Sequence, residues 1–181
     1  MYYKVKRALK KGYKQLRVNL SAANNPLFIA YYKYLFFPRK NTLNHFLHTY
    51  SQSTKPFTVI QVGANDGITH DPIHKYIKRD KWQGVTLEPQ PDVYNQYLKK
   101  IYHNNEGLET LCAAIGEKDG YQKLYKVAFS KMRWATGLAS FERQNLQKAF
   151  ENGYVKLNCD KYGVEYPSST EKHITEVSIK A

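Results

Sequence analysis

The chain has 181 residues, 42% of them apolar, and a net charge of +13. That is enough apolar material for one folded domain and too much for a disordered chain. Its two cysteines, Cys112 and Cys159, stand in no metal or redox spacing, so we expect reduced thiols, no disulfide and a cytoplasmic protein.

The charge is unevenly placed. The first acidic residue is Asp66, and 11 Lys and Arg precede it. The rest of the chain carries 28 − 11 = 17 basic residues against all 15 acidic ones, a balance of +2. The basic character therefore belongs to an N-terminal arm, residues 1–40, ahead of a nearly neutral domain, residues 41–181. A basic arm suits an anionic partner surface, although as a solvated helix face it needs no partner. Tyrosine is abundant, 16 against 8 phenylalanines, and suits half-buried or wet surfaces.

Residues 1–20 read as an amphipathic helix. Val5, Leu9, Tyr13, Leu16 and Leu20 share one face, and Lys4, Lys6, Arg7, Lys10, Lys11, Lys14 and Arg17 occupy much of the remainder. This segment has no continuous apolar core, so no signal peptide is expected. Asn24–Asn25–Pro26 ends the helix. Pro26 to Pro38, PLFIAYYKYLFFP, is aromatic and apolar, but Lys33 interrupts it and it is shorter than the roughly 20 residues that span a bilayer. It is expected either to lie in a membrane interface or to pack on the domain. Residues 41–50 predict a core helix with Leu43, Phe46, Leu47 and Tyr50 inward and Asn41 or Thr42 as N-cap.

From there strands and helices alternate. Phe57–Val62 is a β-branched strand, and Pro72–Arg79 a helix capped by Asp71. Gly84–Leu87 is a second strand, Pro91–Tyr102 a helix, and Leu108–Ile115 a third strand. Glu117–Gly120 is a turn, Tyr121–Phe129 is extended, Phe141–Phe150 is helical, and Ile174–Ala181 alternates as a strand. This order predicts an α/β fold with a parallel sheet flanked by helices.

The chemistry concentrates where the first strand ends, in VIQVGANDGITHDP, residues 59–72. In an open parallel sheet, ligands bind beyond the carboxyl ends of the strands. Gly63 and Gly67 let backbone approach a ligand closely, and Asn65 tolerates left-handed dihedrals. Glu88 closes the second strand 21 residues past Gly67 (88 − 67), where a carboxylate can accept from a ribose diol. There is no GxxxxGK[ST] stretch, and GxNxG lacks the third glycine of a dinucleotide fingerprint. A ligand with a ribose and no pyrophosphate fits better, and S-adenosylmethionine is such a ligand. The bland alternatives are a tight turn and a carboxylate capping the next helix. His70 and His74, one turn apart beside Asp71, lack a third and fourth ligand and read as helix-start residues rather than a metal site. Trp134 and Phe141 read as core aromatics.

Five segments, VIQVGANDG, THDPI, WQGVTLEPQPDVY, LETLCAAIGEKDG and ATGLASF, resemble in order and spacing the FkbM family of class I methyltransferases. The resemblance spans roughly residues 57–145. It implies a Rossmann-like fold, S-adenosylmethionine as cofactor, and O-methylation of a sugar or natural-product hydroxyl on a small molecule or glycan. By position it implies Gly63, Asn65 and Gly67 beside the methionine part, Glu88 on the ribose, and Ala113 and Ala114 near the adenine. Two departures stand out. Gln61 occupies a place where such enzymes commonly carry an acid. The family's later strands have no counterpart here, which leads us to expect an N-terminal part, with a separate chain as one source of the missing strands. A hydroxyl acceptor needs a base, and no residue of this sequence is assigned to it. The alternative reading is a non-catalytic module that docks on an anionic membrane or nucleic acid through residues 1–40.

Overall fold

The computed structural model describes residues 2–54 and 57–181, with the side chains of α1 described at Leu9 and from Gly12 onward. Val5 and the basic residues 4, 6, 7, 10 and 11, assigned above to the faces of the first helix, lie outside the described side chains. The chain divides into two compact units, Lys11–Cys112 and, together with the start of α1, Ala113–Ala181.

The first unit carries a three-stranded parallel sheet in the order β1-β2-β3, built from β1 (Thr58–Val62), β2 (Gln83–Leu87) and β3 (Leu108–Leu111). In register, Val62 faces Leu87 and Leu87 faces Leu111, so the three carboxyl ends are level. The crossovers are α4 (His74–Asp80) and the run α5 (Pro91–Val93), a π turn (Tyr94–Leu98) and α6 (Lys99–Tyr102). The parallel βαβαβ expectation holds. Asp71 does cap α4, as its Oδ1 accepts from the N–H groups of Ile73 and His74 at 2.8 and 2.9 Å. The regular helix starts two residues later than the sequence suggests. The third strand stops at Leu111 instead of Ile115, and the N–H of Ala114 donates to the Lys180 carbonyl instead.

The core of this unit is aromatic. Trp82, 1% exposed, stacks on Phe57 at 3.9 Å between ring centroids and on Tyr76 at 5.6 Å. Val18 of α1 (Tyr2–Ala22) is buried in the same cluster with Ile77, Leu98, Ile101 and Tyr102. The stretch from Pro26 folds as α2 (Pro26–Ala30) and a π turn (Tyr31–Leu35), started by the Asn25 side chain accepting from the Phe28 N–H at 3.1 Å. Tyr32 is buried, and Phe28 and Phe36 pack on the core. Of the two fates expected for this stretch, its inner side packs on the domain.

The expectation for α3 (Leu43–Ser53) needs correction. Thr42 caps it as predicted, accepting from the His45 N–H at 3.2 Å. Its apolar stripe is not core: Leu43 and Phe46 are each 61% exposed, and Leu47 alone of that stripe packs on the core cluster. The buried position is Ser51, whose Oγ accepts from Trp82 Nε1 at 2.7 Å and donates to Asp80 at 2.5 Å. A buried indole N–H left unpaired costs more than an exposed leucine gains, and that contact sets the helix's rotation.

In the second unit, β4 (Tyr121–Val127) pairs antiparallel with β5 (Ile174–Lys180). Around them lie α7 (Arg133–Thr136), α8 (Arg143–Glu151) and α9 (Tyr154–Tyr162). The last of these was not read from sequence. Its signal is present: Gly153 and Gly163 flank it in left-handed conformations, and the buried Val155 and Cys159 are one turn apart. The ATGLASF segment is structural here. Ala135 and Leu138 join the cluster around Val127 and Leu146, and Ser140 exchanges two backbone hydrogen bonds with Tyr125. Trp134 packs on the same cluster, whereas Phe141 is 38% exposed.

Candidate functional site

The site is built at the carboxyl end of β1. The Ala64 N–H donates to the Leu87 carbonyl at 2.9 Å, carrying the strand pairing two residues past Val62. The chain then turns through three left-handed residues, Gly63 (φ +71°), Asn65 (φ +51°) and Gly67 (φ +65°). The two glycines serve different ends. A Cβ on Gly67 would lie 2.8 Å from Leu98 Cδ1 and 3.2 Å from Tyr102 Cε2, so this glycine admits the core. A Cβ on Gly63 would meet nothing within 4 Å, so its left-handed backbone is presented to open space.

Glu88 meets the loop directly. It is 2% exposed, and the Asn65 backbone N–H donates to its Oε2 at 2.7 Å. Its Oε1 accepts from both the backbone N–H and the side-chain Nε2 of Gln90, each at 3.0 Å. Glu88, 21 residues past Gly67 (88 − 67), is thus brought against the loop of Gly63, Asn65 and Gly67. Ala113 and Ala114 fall beyond the end of β3, past the unit boundary.

Three connections at this loop are not legible in the sequence. Asp66, 1% exposed, forms an ion pair with Lys14 of α1 at 2.8 Å, and its other oxygen accepts from the N–H groups of Ile68 and Thr69 at 3.2 and 2.8 Å. Burial pushes this carboxyl up, but the hydrogen bonds and charge of Lys14, with Thr69, outweigh it and hold it below the ordinary value.

The second connection is a directed chain of hydrogen bonds. Tyr102 donates its hydroxyl proton to the Gly67 carbonyl at 3.1 Å. Its oxygen must therefore accept from His74 Nδ1, also 3.1 Å away. The other ring nitrogen, Nε2, then accepts from the Ser21 hydroxyl at 3.4 Å. Burial, followed by the charges of Lys78, Arg17 and Lys75, drives the His74 pKa down to about 3. The ring is therefore neutral at physiological pH, as this bonding requires. His74 is a structural relay from α1 to the loop.

The third connection concerns Gln61. A carboxylate accepts only, so the 3.0 Å contact to Asp71 Oδ2 orients the amide with Nε2 toward Asp71. Gln61 Oε1 is left buried with no hydrogen-bond partner among the described residues. An unpaired buried acceptor beside the loop calls for a donor. The acid missing at Gln61 is also supplied in space by Asp71. No cluster of metal-binding side chains occurs among the described residues.

These features suit S-adenosylmethionine. The open left-handed backbone at Gly63 admits close approach, and Gln61 Oε1 offers an acceptor for an ammonium. Asp71 offers negative charge for a cationic ligand, and Glu88 lies one hydrogen bond from the loop. No curated protein and no solved structure matches the chain. The family model described as the Methyltransferase FkbM domain matches residues 61–179, a range that runs from Gln61 through the glycine loop and both sheets. A match over more than half of the chain, which opens on the loop just described, places this protein in the FkbM methyltransferase family.

Proposed function

We propose that the chain is an S-adenosylmethionine-dependent methyltransferase of Rossmann-like class, acting on a hydroxyl of a sugar or natural product. The observation that carries this reading is the convergence of the loop Gly63–Gly67 with Glu88 at level strand ends, inside the span the family model matches. Bound there, the cofactor would supply a methyl group activated on a sulfonium, ready for displacement by an acceptor oxygen.

The chain's own residues supply positioning, which can account for much of an enzyme's acceleration. Gly63 gives access, Gln61 Oε1 and Asp71 receive the ammonium, and Glu88 receives the ribose diol. Glu88 already accepts from two backbone N–H groups and one side-chain amide. The two backbone donors are fixed by the chain path, so a diol would have to displace the Gln90 amide.

Isothermal titration with S-adenosylmethionine tests this. The folded chain should bind, and Gly63→Ala should weaken binding at least about tenfold, because the methyl fills the approach. Gly120→Ala is the control: this glycine also has positive φ and open space, but lies in the second unit. No binding by the folded chain, or equal affinity for Gly63→Ala and the unaltered protein, would sink the proposal.

A further inference from the structure

The segment that packs Tyr32, Phe28 and Phe36 against the core turns its other side chains outward. Leu27 is 83% exposed, Leu35 68% and Phe37 81%, with Tyr31 and Tyr34 also exposed. Tyr13 and Leu16 of α1 are exposed too, and a cleft of about 480 Å³ joins them to Tyr31 and Phe36. Exposed apolar and aromatic side chains are thus carried by α1, by α2 and by the π turn with the residues that follow it, and the cleft links the first of these to Tyr31. On the inner side Tyr32 sits edge-on to Phe28 at 5.0 Å and to His74 at 6.1 Å between ring centroids.

Charge defines what can cover this patch. Arg17, Lys33, Arg39 and Lys40 belong to the same stretch, and no Asp or Glu occurs before Asp66. Among the described residues Asp71 is the single acid lining the cleft, with Arg17 and Lys75. A second copy would bring an equally cationic face and be repelled. A nucleic acid would use the cations and could stack on aromatic rings, but protruding leucines give it nothing. An anionic bilayer uses both: hydrocarbon for Leu27, Leu35 and Phe37, and headgroup charge for the cations, whose apolar stems lie along the interface. No helix among the described residues is long and apolar enough to cross a membrane, so the contact would be interfacial.

We propose that the outer face of α1, α2 and the π turn docks on anionic lipid bilayers, independently of the methyl-transfer reading. The test is co-sedimentation of the full chain with phosphatidylcholine vesicles containing either no or 30 mol% phosphatidylglycerol, at low and high salt. Partitioning should be at least tenfold stronger on the anionic vesicles and should fall as salt rises. Replacing the three exposed side chains together (Leu27→Ser, Leu35→Ser, Phe37→Ser) should lower it at least tenfold, with circular dichroism and cofactor titration unchanged. Equal partitioning to neutral vesicles would overturn the proposal. So would a triple variant that binds anionic vesicles within twofold of the unaltered chain. Binding to a duplex oligonucleotide as strong as to the anionic vesicles, and untouched by the triple substitution, would assign the face to nucleic acid instead.

Discussion

The two units bury polar groups very differently. The unit from Lys11 to Cys112 buries Ser21, Ser51, Asn65, Asp66, His74, Lys78, Thr86, Glu88 and Gln90, whereas the unit after Cys112 buries Asn158 and His173. The two buried carboxylates and the buried lysine all belong to the first. Taking a charge out of water is costly unless it is paired and hydrogen-bonded. A fold that buries two such carboxylates, Asp66 and Glu88, at one loop is holding that loop in a shape apolar packing alone would not specify. The second unit buries fewer polar groups and, like the first, stacks its rings, as where Phe150 lies on His173 at 4.7 Å between centroids and 7° between planes.

The comparison is broken most directly at Glu88. Replacing it with Ala removes the acceptor of two buried backbone N–H groups and of the Gln90 amide. At 1–3 kcal/mol for each unsatisfied group, we expect a loss of about 3 kcal/mol or more. In the second unit Asn158 makes one bond, to the Tyr154 carbonyl at 2.8 Å, so Asn158→Ala should cost about 1 kcal/mol. Urea denaturation of both variants checks the order, and equal losses would remove the distinction.

The glycines sharpen the same contrast at a smaller scale. Gly67→Ala should cost about 2–3 kcal/mol, combining left-handed strain with a clash against Leu98 and Tyr102. Gly153→Ala has the same strain with open space around it and should cost about 1–2 kcal/mol. Thermal melts of the pair would show whether the loop is braced by the core as described.

Lys78 gives a pH signature. Its Nζ donates to Asn24 Oδ1, the Ile101 carbonyl and Asn105 Oδ1 at 2.6–2.7 Å, three neutral oxygens. Burial pushes its pKa down to about 7 from an ordinary 10.5. Between those values the unfolded chain keeps a proton that the folded chain releases. Stability should therefore rise with pH across this window, by up to about 1.4 kcal/mol per unit. It should be lowest below pH 7. The slope is read as the difference between the unaltered chain and Lys78→Met, and a flat difference from pH 7 to 10 would mean Lys78 stays charged when folded.

The smallest effect is expected at Ser21→Ala, about 0.5–1.5 kcal/mol for one neutral hydrogen bond. Nitrogen NMR should find His74 protonated at Nδ1 in either protein. The opposite tautomer would break the relay from α1 to Gly67.

What the sequence made legible was local. Strand ends, glycines and the 21-residue step to Glu88 follow from periodicity and spacing, so the parallel sheet and the four loop residues could be named. The Lys14–Asp66 pair, the Ser21–His74–Tyr102 chain and the Asp71 carboxylate beside Gln61 join residues that no pattern links. The first two depend on α1, which supplies Lys14 and Ser21. The rotation of α3 was misread because the Ser51 hydroxyl, with an indole and a carboxylate as partners, outweighs a regular apolar stripe.

The central claim is that the loop between Gly63 and Gly67, held by Glu88, is where the cofactor binds. Backbone amide NMR during titration with S-adenosylmethionine tests it most directly. The account predicts that the amides of Gly63, Asn65, Gly67, Glu88 and Gln90 shift together and saturate at one dissociation constant, while those of α8 and α9 stay still. Saturable shifts confined to residues after Cys112, or none at all in the folded protein, would contradict it.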